Sequence, residues 1–349
     1  MFIEQKDIQM VQQAKNLINR AVDTLAQATG IKLVLRGNVP KAKNANPDGL
    51  VRIDYNDMHH DFAIQAKARV TRATVAMEKA QPTLPGQDRI LVTEYATPQM
   101  ADLMKEIGLL FMDTAGNAYI NKPPLYIFIK GNKRPENLKP VPIKRLFKPA
   151  GLKVVFALLN HPEMVDWPYR KIAAVTDVAL GTVDWIFRDL KEIGFLVEMG
   201  GRKRKITNPL QLLKRWVEAY PEQLRPKLDI GRFKADDPDW WKDIDITGYN
   251  ACWGGEVAAA KLTRQLKPEK VIIYAPEPPG KLIIEQKLRK TTGGDIEILK
   301  TFWTFDHELD ALGIAPPLLV YADLMATGDD RNIETAEMIN DKYLAQPDR

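Results

Sequence analysis

The stretch Tyr169–Asn208 constrains this chain most, because the spacing of its apolar residues changes character twice within it. Ile172, Val175, Val178, Val183, Phe187, Leu190 and Ile193 recur at helical intervals, with an interruption around Asp177–Gly181 that divides the pattern into two short helices. Gly194 ends the second helix, and Phe195–Met199 then reads as a strand running into Gly200-Gly201. Arg202–Thr207 reads as the returning strand. The order is that of a helix-turn-helix followed by a two-stranded wing whose tip is cationic.

The inward residues of the second helix fix the outward ones. Thr182, Trp185 and Arg188 face away from the core, with Asp184 and Lys191 flanking them. A hydroxyl in the first helical turn suits a phosphate oxygen, and an arginine can reach a guanine edge or a second phosphate. Arg202, Lys203, Arg204 and Lys205 of the wing would add phosphate contacts. This spacing predicts a double-stranded DNA-binding surface made of Thr182, Trp185, Arg188, Lys191 and those four wing cations. The alternative is a three-helix packing module docked on a neighbouring domain, with residues 202–205 a solvated turn.

Charge distribution agrees with the first reading. The net charge of +5 conceals an asymmetry: residues 235–349 hold 13 Lys+Arg against 21 Asp+Glu, and the excess of cations lies before them. A basic front and an acidic back place a polyanionic partner at the front. From Lys122 to Lys153 there are nine basic residues and one acid, Glu136, on a proline-rich stretch that reads as a linker. No run approaches the roughly 18 apolar residues of a membrane span, and the N-terminus has neither the basic start nor the apolar core of a signal peptide. The lone Cys252 allows no internal disulfide, so the expected compartment is the cytoplasm, with no membrane partner. Four histidines and one cysteine show no zinc spacing, and no metal ligand set is expected.

The expected fold class is α/β (α+β) in three parts. Residues 1–135 read as a helix (4–28), three strands, a helix and a strand, an α/β core with an antiparallel start. Residues 150–220 hold the winged helix-turn-helix, and residues 235–349 form an acidic C-terminal α/β domain. Pro221–Lys234 reads as an irregular basic connector between the last two. Asp113, Thr114 and Asn117 read as a tight polar turn. Asn332 or Asp330 would cap the closing helix. Gly254-Gly255 precedes a helix as in nucleotidyltransferases, but Asp295 and Glu297 follow too far on to complete such a site.

Within residues 1–135, Asp54 ends one strand and Gln65-Ala66-Lys67 lies on the next. The order resembles the PD-(D/E)xK nuclease fold, in which an aspartate and a second acid bind Mg²⁺ and a lysine helps activate water. A short turn at Asp57–His60 would bring Asp54 across from Gln65 and Lys67. Gln65 offers only a neutral carbonyl where hard Mg²⁺ favours carboxylate, so Asp54, Gln65 and Lys67 read as vestigial. No cofactor is expected, Mg²⁺ entering only if this site is active. Whether the chain is an enzyme turns on that residue.

Five segments carry a wider resemblance: IGLLFMDTAGNAYI (107–120), the winged helix (151–208), RWVEAYPEQLRPKLDIGRF (215–233), GGEVAAAKLT (254–263) and LMATGDDRNIETAEMINDKYL (324–344). Together they resemble the AbiEi-type antitoxin family of type IV toxin–antitoxin systems, in the branch with a nuclease-like N-terminal region. The resemblance implies a transcriptional regulator that represses its own operon, acts as an antitoxin, and has a nucleotidyltransferase-like toxin as genetic partner without needing direct contact with it. It leaves a homodimer open as the assembly. Related members often carry glutamate where this chain has Gln65. The competing reading is a DNA-processing nuclease whose PD-(D/E)xK-like site is delivered by the winged helix.

Overall fold

The computed structural model describes residues 2–36, 47–56, 58–81, 88–135, 145–201 and 203–345, with side chains from residue 12 onward. It is a mixed α/β protein that divides into two compact units, residues 1–142 and 143–349.

Unit 1 opens with α1 (Phe2–Thr29), whose Leu17, Ile18, Ala21, Val22 and Leu25 are buried at the spacing of one helical face. Gly30 leaves the helix at φ +70°, a conformation that costs glycine nothing. Seven strands follow in a single sheet ordered as in the chain: β1 (Lys32–Arg36), β2 (Gly49–Tyr55), β3 (Met58–Lys67), β4 (Asp88–Thr93), β5 (Leu110–Asp113), β6 (Ala118–Lys122) and β7 (Leu125–Ile129). β3, β4 and β5 run parallel, joined through α2 (Arg72–Ala80) and α3 (Pro98–Glu106); the other pairs are antiparallel. Helix α1 covers one face with Val51, Ile53, Phe62 and Ile64, whereas Val75, Ala101 and Met104 of α2 and α3 meet Leu91, Phe111 and Tyr119 on the other. The expected order of helix, three strands, helix and strand is what forms.

Unit 2 contains the stretch read as a winged helix-turn-helix and the C-terminal segment together. Helices α4 (Pro149–Asn160), α5 (Tyr169–Thr176) and α6 (Leu180–Glu192) precede the hairpin β8 (Leu196–Glu198) and β9 (Arg204–Ile206). The expected connector is regular structure instead. Helix α7 (Pro209–Gln223) continues past Pro221, which lies in its last turn, and β10 (Asp229–Lys234) is a strand of the second sheet. That sheet is ordered β11 (Cys252–Gly254), β12 (Val271–Ala275), β14 (Ile296–Lys300), β10, β13 (Arg289–Lys290). Helices α8 (Gly255–Thr263), α9 (Gly280–Glu285), α10 (Pro317–Met325) and α11 (Asp330–Ile339) complete the unit. Asp329, one residue before the expected cap, accepts from Asn332 N at 3.2 Å and caps α11.

An aromatic stack joins these parts. Trp216 of α7 lies 5.1 Å from Phe156 of α4 and 4.9 Å from Tyr220, and Phe156 lies 4.9 Å from Phe302 at the end of β14. The Trp216 indole donates to Leu152 O at 2.8 Å. Beneath the stack, the Tyr274 hydroxyl donates to the Asp323 carboxylate, and Arg225 bridges Asp323 and Glu297. Thr304 also reaches the turn helices, donating to Val175 O at 3.0 Å.

Candidate nucleic-acid interface

Asp177 ends α5 in the left-handed conformation at φ 50°, which an aspartate tolerates better than most side chains, and this turn sets α6 against α5. Val183, Ile186, Phe187 and Leu190 of α6 are buried, so the opposite face is free. On it Trp185 is 51 % exposed, an unusual state for a side chain with so much apolar surface. Two guanidiniums lie near its ring: Arg188 at 5.2 Å from the centroid and Arg145, from the turn before α4, at 5.5 Å. Arg188 is exposed and holds Asp184 at 2.7 Å. Thr182 is half-buried in the first turn, and its N–H bonds Ala179 O at 2.8 Å. Lys191 pairs with Glu198 of β8 at 3.0 Å and so ties α6 to the wing. Sequence reasoning missed Arg145, because its position beside Trp185 depends on how the turn before α4 packs.

The wing departs from the expected all-cationic tip. Alternation along β9 turns Arg204 and Ile206 to one side and Lys205 to the other. Arg204 packs inward: its N–H donates to Asp166 at 2.6 Å, its guanidinium donates to Trp167 O at 2.9 Å, and it lies over the Tyr169 and Phe187 rings at 4.9 and 4.8 Å. Lys203 and Lys205 are exposed. Arg202 lies outside the described residues.

In unit 1 the expected cluster does not assemble. The β2–β3 hairpin already pairs Tyr55 with Met58 and Asp54 with His59, so residues 58–60 are strand rather than turn. Asp54 instead has Lys32 at 3.4 Å. The residue beside Gln65 is Asp48, about 20 Å along the strand from Asp54 at roughly 3.3 Å per residue. Asp48 follows Pro47, and its carboxylate accepts from Gln65 Nε2 at 2.8 Å and Ala66 N at 2.7 Å. Desolvation raises its pKa above the ordinary carboxylate value, opposed by the Ala66 N–H and the Lys67 charge. Lys67 lies 3.8 Å from the buried Glu78. Asp48 is thus one carboxylate beside an amide that faces it through nitrogen, a donor set that does not fit Mg²⁺. Among the described residues no group of three His, Cys, Asp or Glu could hold a metal ion.

Two further candidates are structural. Asp113 is buried and accepts from Ala96, Ala115 and Asn117 N–H groups and from the Asn117 amide, all within 2.9 Å, so the turn consumes its own polar groups. Gly254 and Gly255 allow close packing, because a Cβ at either would lie 2.5 or 2.6 Å from Tyr274 or Ile272. Burial pushes the Cys252 thiol up to about 12, which keeps it protonated at neutral pH.

Against known proteins, residues 205–345 match the family described as transcriptional regulator, AbiEi antitoxin, type IV toxin–antitoxin system. Over those 141 of the 349 residues the chain is similar to the AbiEi antitoxin family. No curated protein and no solved structure matches it. The AbiEi segment begins at Lys205, within the wing, and holds β10–β14 and the helices from α7 onward. Among the described residues no helix is long and apolar enough to cross a membrane.

Proposed function

We propose that this chain is a sequence-specific DNA-binding transcriptional regulator that represses its own operon and acts as the antitoxin of a type IV toxin–antitoxin pair. The observation that carries the DNA-binding part is the free face of α6, where Trp185 stands exposed with the Arg145 and Arg188 guanidiniums beside it. An aromatic plane between cations suits a sugar-phosphate edge or a thymine methyl, and Arg188 suits a guanine edge once Asp184 gives it up. The AbiEi match supports the antitoxin part and a toxin encoded beside it. The regulator would act in the cytoplasm, as a homodimer if its operator holds two half-sites.

The test is a pair of titrations at one salt concentration, with the duplex upstream of its own gene and a scrambled duplex. Arg188→Ala should lose about 1–3 kcal/mol on the first and little on the second. Equal losses would make Arg188 a phosphate anchor, and no loss on either would remove α6 from the interface.

A second reading attaches to Asp48, which stands beside Gln65-Ala66-Lys67 as a nuclease aspartate would. Its test is cleavage of plasmid DNA, abolished by Asp48→Ala and Lys67→Ala. The single carboxylate favours the regulator.

A further inference from the structure

The sheet of unit 1 has two edges, and they are built differently. β1 at one edge reads Lys-Leu-Val-Leu-Arg, with a cation at either end, and such charges discourage another strand from adding on. β7 at the other edge reads Leu-Tyr-Ile-Phe-Ile, with no charge, no proline and an unbroken register against β6. On it Tyr126 is 57 % exposed. The bonds of the neighbouring strands fix which backbone groups of β7 face outward. Asp113 N–H donates to Asn117 O at 2.9 Å, so Asn117 and Tyr119 bond toward β5, and the alternate residues Ala118, Ile120 and Lys122 bond toward β7. Their partners are Ile129, Ile127 and Leu125. The N–H and C=O groups of Tyr126 and Phe128 therefore point out of the sheet, and no hydrogen bond from outside it reaches them among the described residues. The chain beyond β7 leaves this edge, because Asn132 accepts no place along it: its N–H donates to the Asn117 side chain and its amide donates to Ala115 O, both at 2.9 Å, over the β5–β6 turn.

We propose that β7 pairs antiparallel with β7 of a second copy, about a twofold axis at Ile127, and so joins two sheets into one. The edge is complementary to itself. Tyr126 exchanges both backbone bonds with Phe128 of the second copy, and Phe128 does so with Tyr126 of the second copy. Ile127 then faces Ile127, and Leu125 faces Ile129. Like charges do not meet, because Lys130 comes opposite Pro124 and Lys122 opposite Asn132. The side chains suit the same register. Tyr119, Tyr126 and Phe128 share one face, with Tyr119 at 6.2 and 6.0 Å from the other two rings, and the Lys105 and Lys130 ammoniums stand 4.2 and 5.7 Å from the Phe128 centroid. Pairing lays the exposed Tyr126 ring of the second copy beside Phe128 and those two cations. A seam of 5 residues from each copy is small, so this dimer dissociates on dilution. The pairing stands apart from the DNA-binding reading and uses unit 1 alone.

The test is sedimentation of the full-length protein over a dilution series, which should show a monomer–dimer equilibrium. Tyr126→Pro removes an outward N–H and the exposed ring but keeps the bonds to β6; it should weaken the dimer by about a hundredfold or more with the circular dichroism spectrum unchanged. Tyr126→Lys keeps the backbone donor, sets a further cation against Lys105 and Lys130, and should dissociate the dimer too, which decides the matter if the proline variant does not fold. Ile127→Cys should form a disulfide-linked dimer on mild oxidation, because a pair without mutual backbone bonds brings its Cα atoms to about 4.5 Å, whereas Phe128→Cys, which faces Tyr126, should not. The native protein, with the buried Cys252 alone, is the control. A native protein that sediments as a monomer throughout, a dimer that survives in Tyr126→Lys, or Phe128→Cys linking as readily as Ile127→Cys would overturn the proposal.

Discussion

Replacing Tyr274 by phenylalanine removes one oxygen atom from the buried network that ties α7 to β12 and α10. The hydroxyl has one proton, which goes to Asp323, whose oxygens lie 2.9 and 3.1 Å away. The 2.7 Å contact with Tyr220 must then be a bond that Tyr220 donates. Tyr274→Phe therefore deletes a bond to a carboxylate, typically worth about 1.5–3 kcal/mol, and a neutral bond worth roughly 1. Part is recovered, because the Tyr220 hydroxyl lies 3.4 Å from Asp323 and can turn to it. The net cost is about 2–3 kcal/mol, or roughly 4–12 °C in the melting temperature of a unit this size. All seven tryptophans lie in residues 143–349, so tryptophan fluorescence follows the unfolding of this unit alone. Tyr220→Phe should cost less, about 1 kcal/mol, and the double variant less than the sum of the two. A Tyr274→Phe protein within 0.5 kcal/mol of the native one, or a larger loss from Tyr220→Phe, would refute this account.

Three further outcomes follow from particular side chains. Lys203→Ala with Lys205→Ala should flatten the dependence of log K on log salt by roughly one unit per lost phosphate contact, whereas Arg204→Ala should lower the melting temperature of unit 2 more than it changes that slope. Burial raises the Asp323 carboxyl above its unfolded value, so its contribution is fully present at pH below the unfolded carboxylate range and is lost as pH rises through the raised value; Asp323→Asn should remove that slope from urea unfolding measured across acidic pH. With Mg²⁺ or Mn²⁺ the native protein should leave plasmid DNA uncut, and Gln65→Glu, which adds a second carboxylate beside Asp48, is the change that should produce nicking; native cleavage lost in Lys67→Ala would reverse the order of the two functional readings.

The sequence discloses these features unevenly, and the reasons are local. Periodicity located α1 and the helix-turn-helix because each helix buries one clean face, and β1–β4 stood out as short apolar or alternating runs. The misplaced aspartate was a matter of register. With Tyr55 paired to Met58, each step away from the turn moves both partners, so Gln65 must lie beside residue 48 and not 54. The dipeptide Pro47-Asp48 was available as the signal. Arg204 was legible too, since alternate residues of a strand cannot all face solvent. The reading of 221–234 as a connector failed because α7 runs on past Pro221, which forfeits one intrahelical bond near the helix end without stopping it, and because Gly231 hides the alternation of β10. What no linear pattern carries is partnership: Phe156, Trp216 and Phe302 each read as apolar, and only the fold shows that they meet. The same holds for Arg145 and Trp185.

The boundary of the AbiEi match bears on how function divides along unit 2. Residues 205–345 take in Lys205 and Ile206 of β9 but not β8, and α7 but not α4, so the segment begins inside both the hairpin and the helical core that it supports. Trp216 of the matched segment stacks on Phe156 outside it and donates to Leu152, also outside it. Its buried face is therefore completed by α4, and the acidic sheet serves as the platform on which the helix-turn-helix is held. Trp185 and Arg188, by contrast, lie outside the matched residues and touch little besides each other, Arg145 and Asp184. On the proposed function, α6 is held by contacts with the matched segment, and choice of DNA sequence falls to the residues exposed on α6. If the proposed DNA binding holds, substitutions on the exposed face of α6 should change which duplex is bound without disturbing the fold, while substitutions in the Tyr220–Tyr274–Asp323 network should reach the DNA only by loosening what holds α6 in place.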